Sequence, residues 1–174
     1  MGGASRIFVP IHFAVIAVSD TRTVETDRSG ATLRGLIEAD GHRVLVREVV
    51  KDEIDAIEAC LRTLIANPEI DCIITTGGTG VTGRDVTPEA VERVAEKMIP
   101  GFGELFRYLS IRTIGTSTIQ SRATACVAKG TYILALPGST GACEQGWSEI
   151  LRAQFDARTT PCNFVELVPR LLEK

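Results

Sequence analysis

Three near-continuous apolar runs set the limits on how this chain can fold: "HFAVIAVSD" (12–20), "DCIITT" (71–76) and "GTYILALPG" (130–138). A strand with no polar alternation is one covered on both faces. Between these runs the period changes. In "DEIDAIEACLRTLIANP", Ile54, Ile57, Leu61, Leu64 and Ile65 recur at helical spacing, and Asn67–Pro68 stops the pattern. "SGATLRGLIEADG" reads as a helix with Ser29 as its candidate cap, Leu33, Leu36 and Ile37 on one side and Gly41 at its end. "HRVLVREVV" reads as a second strand, and its Arg47 and Glu48 suit an edge position. Thr87 is a candidate cap, with Pro88 at the first position, for a helix through "PEAVERVAEKM". Pro100 with "GFGELFRYLSI" opens another helix. "GACEQGWSEILRAQFDAR" closes the pattern as a helix with Trp147, Ile150, Leu151 and Phe155 on one side, Trp147 being a core or subunit-contact residue. Strands alternating with helices predict an α/β fold: a three-layer sandwich around a mainly parallel sheet, of Rossmann-like topology. With 174 residues and no repeat or linker, residues 1–174 are expected to form one domain.

Open sheets of this kind bind ligands beyond the carboxyl ends of their strands. Three such ends here are rich in small residues: Ser19–Asp20, Thr76 to Gly80, and Pro137, Gly138 and Ser139. The net charge of −3 gives no bulk attraction to nucleic acid or an anionic membrane, so neither is an expected partner. Any anionic ligand must therefore be held by local donors. No apolar run approaches the roughly 18 residues of a membrane span, and "MGGASRIFVP" contains no secretory apolar region. The five cysteines are odd in number, widely spaced and without a CxxC pair, which suits reduced thiols in a cytoplasmic protein. The only two histidines, His12 and His42, flank predicted elements as structural residues, which disfavours histidine-based catalysis.

The stretch "TTGGTGVTGRDVTPEA" (75–90) joins a buried strand to a helix start. Taken literally, "GTGVTG" fits the dinucleotide fingerprint G-x-G-x-x-G, but its last glycine lies four residues before the Thr87–Pro88 helix start. The loop also follows the third strand, where that fingerprint follows the first. A Walker loop would need a Lys-Ser/Thr pair, and Arg84–Asp85 stands there instead. A plain turn needs fewer glycines. The preferred reading is a loop whose glycines bring backbone N–H groups against a phosphate. Asp85 would repel such an anion unless a cation lay between them, the role of Mg²⁺ bridging carboxylates and nucleotide phosphates. Asp52, at the corner "VVKDEID", is a second carboxylate, although an aspartate there is also a good helix cap.

"TTGGTGVTGRDVTPEA", together with "PGFGE" (100–104), Ser121–Arg122 and "LPGSTGA" (136–142), resembles the MoaB/MogA proteins of molybdenum cofactor biosynthesis, with related domains in MoeA and gephyrin. The ending "GACEQGW…DARTTPCNF" looks like the MoaB branch. The resemblance implies a MogA-like fold, a trimeric or hexameric homo-oligomer, and binding of molybdopterin. It also implies adenylyl transfer from Mg-ATP to the terminal phosphate of molybdopterin, with ATP as substrate and no tightly bound cofactor. The alternative is a protein that binds molybdopterin or a precursor without turnover. The family's two functional aspartates fall on Asp52 and Asp85, as catalytic residues and Mg²⁺ ligands. Its glycine loop falls on Thr76, Gly77, Gly78, Thr79 and Gly80, and its ligand-binding serine on Ser121. Arg84 and Arg122 are candidate phosphate clamps or solvated surface charges.

Overall fold

The structure, a computed structural model, describes residues 6–173; the first five residues of the stretch read for a leader lie outside it. Its elements run β1 (His12–Val18), α1 (Arg28–Ala39), β2 (Arg43–Val50), α2 (Ile54–Ile65), β3 (Cys72–Thr76), α3 (Thr87–Val94), β4 (Lys97–Met98), α4 (Pro100–Ile114), β5 (Thr124–Ala128), β6 (Thr131–Leu136) and α5 (Thr140–Gly146). A π-helical turn over Trp147–Leu151 joins α5 to α6 (Arg152–Gln154), and α7 (Phe164–Leu167) follows. No helix among the described residues is long and apolar enough to cross a membrane.

The six strands form one sheet in the order β2-β1-β3-β6-β5-β4. Strands β2, β1, β3 and β6 are parallel, and β5 and β4 extend the sheet antiparallel to their neighbours. The apolar runs of β1, β3 and β6 are buried along almost their whole length, as their lack of alternation requires. Their side chains divide between two cores. Phe13, Val15, Ile74 and Leu134 face α1 and α5, whereas Ile16, Ile73 and Ile133 face α2 and α3. The predicted three-layer α/β sandwich is therefore present, with β2 at the expected edge.

The first core is organised around Trp147, which is buried and packs edge-on against Phe13 at 5.6 Å between ring centroids. Its indole N–H donates to Asp40 Oδ2 at 2.8 Å, so the polar end is satisfied. Trp147 is thus a core residue. Trp147→Ala should destabilise the chain by about 3–5 kcal/mol, a large share of the ~5–15 kcal/mol that holds a typical domain. Urea unfolding followed by far-UV circular dichroism measures this. His42 is structural as well: buried at the same cluster, its Nδ1 accepts the Ile11 N–H at 3.1 Å, and burial pushes its pKa down, favouring the neutral ring.

Several local expectations are corrected. Asp27, not Ser29, caps α1: its carboxylate accepts the Gly30 N–H at 2.9 Å, and the Ser29 hydroxyl donates to that same oxygen at 3.0 Å. Thr87 does not cap α3, because its hydroxyl donates instead to the Gly77 carbonyl at 2.8 Å. The helix predicted through Met98 stops at Val94, and Lys97–Met98 forms the short β4. Strand β5 was not anticipated.

Candidate functional site

The parallel order places the loops after β1, β3 and β6 on one edge. The chain leaves β3 toward the face covered by α3, and leaves β6 toward the opposite face covered by α5. The two loops diverge, and the gap between them is the switch-point crevice of an open α/β sheet. A cleft of about 900 Å³ opens there, within the ~300–1,000 Å³ of small-molecule sites. One wall is the glycine loop, Gly77 to Gly80, with Asp85. Another is the turn Pro137, Gly138 and Ser139, and Ser121 completes the predicted lining. Phe106, Ser110, Ile114 and Gln145 supply a partly apolar wall from α4 and α5 that the sequence reading did not assign. They lie within stretches that read only as helices, a pattern that carries no sign of a cleft.

The glycine loop is anchored on three sides. Gly77 N–H donates to Leu136 O at 3.0 Å, Thr76 Oγ1 to Pro137 O at 3.0 Å, and Arg122 N–H to Thr79 O at 2.8 Å. Gly77 and Gly78 take φ values of +110° and +63°, conformations that side chains other than glycine's rarely adopt. A Cβ at Gly77 would strike the Val18 carbonyl; one at Gly78 would strike the Thr87 hydroxyl and lie 3.0 Å from Asp52 Oδ1. These glycines are thus required by contacts within the protein, whether or not a ligand approaches them. What the loop offers a ligand is its backbone. The N–H groups of Gly78 and Thr79 make no hydrogen bond to another described residue, and both residues line the cleft. Two successive donors without a partner are what an anion-binding nest requires.

The two aspartates have contrasting surroundings. Asp85 Oδ2 accepts the Thr82 N–H at 2.9 Å and the Thr82 hydroxyl at 2.6 Å. Partial burial works against its charge, but the bonds from Thr82 and from the Gly80 N–H, with the nearby Arg122, prevail and hold its carboxyl below the usual range. Asp52 is strained. Its Oδ1 is buried without a hydrogen-bond partner, and burial followed by the Asp85 charge raises its pKa, only partly offset by the Val86 N–H. It does not cap α2, where Glu53 holds the cap position and makes no side-chain cap bond. Asp52 sits behind Gly78, and its own N–H donates to Asp20 Oδ1 at 3.2 Å. Asp20 also pairs with Arg84, so it ties the ends of β1 and β2 to the tip of the glycine loop.

An orphaned, destabilised carboxylate is expected to be retained for a reason other than stability. Asp52→Asn should therefore raise the melting temperature at neutral pH. The sign follows from the raised pKa: ionised Asp52 disfavours the folded state, so removing its charge stabilises it. The gain should fade as the pH falls and wild-type Asp52 takes up its proton. Thermal melts of both proteins across that range check this.

Arg122 donates to Gly80 O at 2.6 Å and to Asp85 O, and pairs with Glu89, so its partners lie in the loop and on the first turn of α3. Ser19 lies outside the main cleft, in a smaller hollow that Thr76, Gly138 and Ser139 also line. Among the described residues no group of three or more His, Cys, Asp or Glu side chains is arranged to hold a metal. Two carboxylates are nevertheless a sufficient protein share for magnesium when phosphates and water supply the rest, and the unpartnered Asp52 oxygen fits that donor set.

Comparison with known proteins agrees with this geometry. Residues 14–157 match the family described as "Probable molybdopterin binding domain". The chain is 45% identical over 164 residues to Molybdenum cofactor biosynthesis protein B of Escherichia coli (strain K12), covering 94% of this chain and 96% of that one. It superposes on a crystal structure of a Molybdenum cofactor biosynthesis protein B with a TM-score of 0.86 at 34% identity, covering 95% of this chain and 98% of the other. The tungsten cofactor synthesizing protein MoaB from Pyrococcus furiosus gives a TM-score of 0.75 at 31% identity, over 83% and 92% of the two chains. With the sheet order, the switch-point cleft and the glycine loop in place, the chain belongs to the molybdopterin-binding domain family of molybdenum cofactor biosynthesis proteins, the MoaB/MogA family.

Proposed function

We propose that this protein transfers an adenylyl group from Mg-ATP to molybdopterin. The observation that carries the reading is the pairing of Asp52, whose buried oxygen has no partner, with Asp85 across a loop that presents two free N–H groups to a ligand-sized cleft. In the reaction an oxygen of the terminal molybdopterin phosphate bonds to the α-phosphorus of ATP. The bond from that phosphorus to the bridging β-oxygen breaks, and the electron pair leaves with pyrophosphate. The attacking oxygen is already ionised at neutral pH, so no strong general base is needed, which suits a site without histidine. Catalysis then consists of positioning anions and neutralising their charge. Asp52 and Asp85 would hold magnesium, which supplies that neutralisation, while the Gly78 and Thr79 N–H groups would bind a phosphate oxygen in the cleft. Thr82 and Arg122 hold Asp85 and the loop in place.

A cytoplasmic, homo-oligomeric protein belongs to the same proposal. Cys72, Cys126 and Cys143 serve as buried packing residues. On α4, Leu105, Tyr108, Ile111 and Ile114 form an exposed apolar stripe at helical spacing, a surface suited to another copy. The second reading, a protein that holds molybdopterin or its precursor without turnover, draws on the anchoring role of Asp85, which a pure binding loop would also need. Pyrophosphate release from Mg-ATP separates the two. The transferase releases it only when molybdopterin is present, and the binding protein releases none in either case.

A further inference from the structure

The smaller hollow, about 230 Å³, lies between the β1–α1 loop and the turn after β6. It is below the ~300 Å³ at which drug-sized ligands are usually held, and its volume accommodates a small inorganic group. Its lining is cationic. Arg22 and Arg28 both border it, both are exposed, and neither is ion-paired with a carboxylate of any described residue. The one carboxylate at its edge, Asp27, is already committed to Arg47 at 3.1 Å, to the Ser29 hydroxyl and to the Gly30 N–H. Ser19 Oγ accepts the N–H groups of Thr21 and Arg22, and Ser139 Oγ accepts that of Ala142. Accepting these bonds leaves both hydroxyl protons free to donate. The start of the 12-residue helix α1 lies at the same place, its end capped by Asp27. The main cleft has the opposite character: its charged lining residues are Asp85, Glu144 and Glu149, with no arginine or lysine. Gly138 and Ser139 border both spaces, so this one turn stands between the hollow and the main cleft.

We propose that the hollow is a phosphoryl-anion subsite that takes the β- and γ-phosphates of the nucleotide and then the pyrophosphate released, with Arg22 and Arg28 as its cationic clamps. The assignment rests on the adenylyl-transfer reading for the identity of the nucleotide, and on the hollow itself for the chemistry of the anion. The main cleft, with the free Gly78 and Thr79 N–H groups, keeps the acceptor, and the leaving group is held in the basic hollow.

Titration calorimetry of inorganic pyrophosphate, of orthophosphate and, as a control, of molybdopterin into the full chain tests this. Wild type should bind pyrophosphate more tightly than orthophosphate. Arg22→Gln and Arg28→Gln should each weaken pyrophosphate about tenfold, the double variant should remove measurable binding, and Arg28→Lys should recover part of it. Both side chains are exposed, so melting temperatures should stay close to wild type. Molybdopterin affinity should not change in any of the variants. No pyrophosphate binding by wild type, equal binding by the glutamine variants, or a loss of molybdopterin affinity together with pyrophosphate would each overturn the assignment. Arginine-dependent pyrophosphate binding in a protein that does not adenylylate molybdopterin would leave the subsite standing and remove the reaction.

Discussion

Asp85→Asn should lower adenylyl transfer by at least about two orders of magnitude, the loss of roughly 3 kcal/mol expected when a metal-anchoring charge disappears. Asparagine keeps the size of the side chain and one acceptor for Thr82, so the loop should remain in place. The substitution should also lower stability modestly at neutral pH, because the charge it removes is one that Thr82, Gly80 and Arg122 favour. The sign follows from the depressed pKa. Stability from this carboxylate is present above its unfolded pKa and lost as the pH falls through its folded value, so mutant and wild-type melts should converge in acid. Steady-state turnover at saturating Mg-ATP, with melts across pH, measures both effects. Near-normal turnover in the folded variant would make Asp85 a loop staple and nothing more.

Gly78→Val should produce the largest loss of stability of any loop substitution considered. Its φ of +63° is adverse for a β-branched residue, and the added Cβ would strike the Thr87 hydroxyl that holds Gly77 O. Backbone strain of about 1–3 kcal/mol and overpacking of about 1–3 kcal/mol add to roughly 2–6 kcal/mol. Against the ~5–15 kcal/mol of a typical domain, such a loss can leave the chain partly unfolded at ordinary temperatures. Ligand binding by this variant would therefore report on folding before it reported on the site. Urea unfolding monitored by circular dichroism supplies the number, and an unchanged midpoint would show that the loop can relax around a side chain.

The alternation of near-continuous apolar runs with helical stripes made the central fold readable, because β1, β3 and β6 lie between two helix layers that favour apolar side chains, Thr75 with its unpartnered buried hydroxyl being an exception. Strand β5 escaped notice because "TACVA" is short and follows the Ser121–Arg122 motif without a turn signal between them. Strand β4 has two residues and trails a helical pattern, so its pairing with β5 is fixed by the sheet and not by local sequence. The capping errors share one cause. Asp27 and Ser29 both sit near the start of α1, and which side chain turns inward depends on Arg47 from a neighbouring strand. The Thr87 hydroxyl has a carbonyl acceptor available only because the glycine loop folds back over it. The glycine loop and Asp85 were legible as a motif, and Asp52 through the family resemblance. The strain on Asp52 was not, since it arises from residues 52, 78 and 85 meeting in space. Arg22 and Arg28 carried no motif at all, and only the path of the β1–α1 loop brings them to one hollow.

Asp52 offers the sharpest contrast between stability and function, because its replacement should strengthen the fold and weaken the site. The most direct measurement is calorimetric titration of ATP into wild type and Asp52→Asn, each with and without Mg²⁺. The two-carboxylate account predicts that wild type binds ATP tightly only when Mg²⁺ is present, and that Asp52→Asn, folded and melting higher, loses most of this magnesium-dependent gain. Equal ATP affinity with and without Mg²⁺ in wild type, or an undiminished magnesium effect in Asp52→Asn, would contradict it.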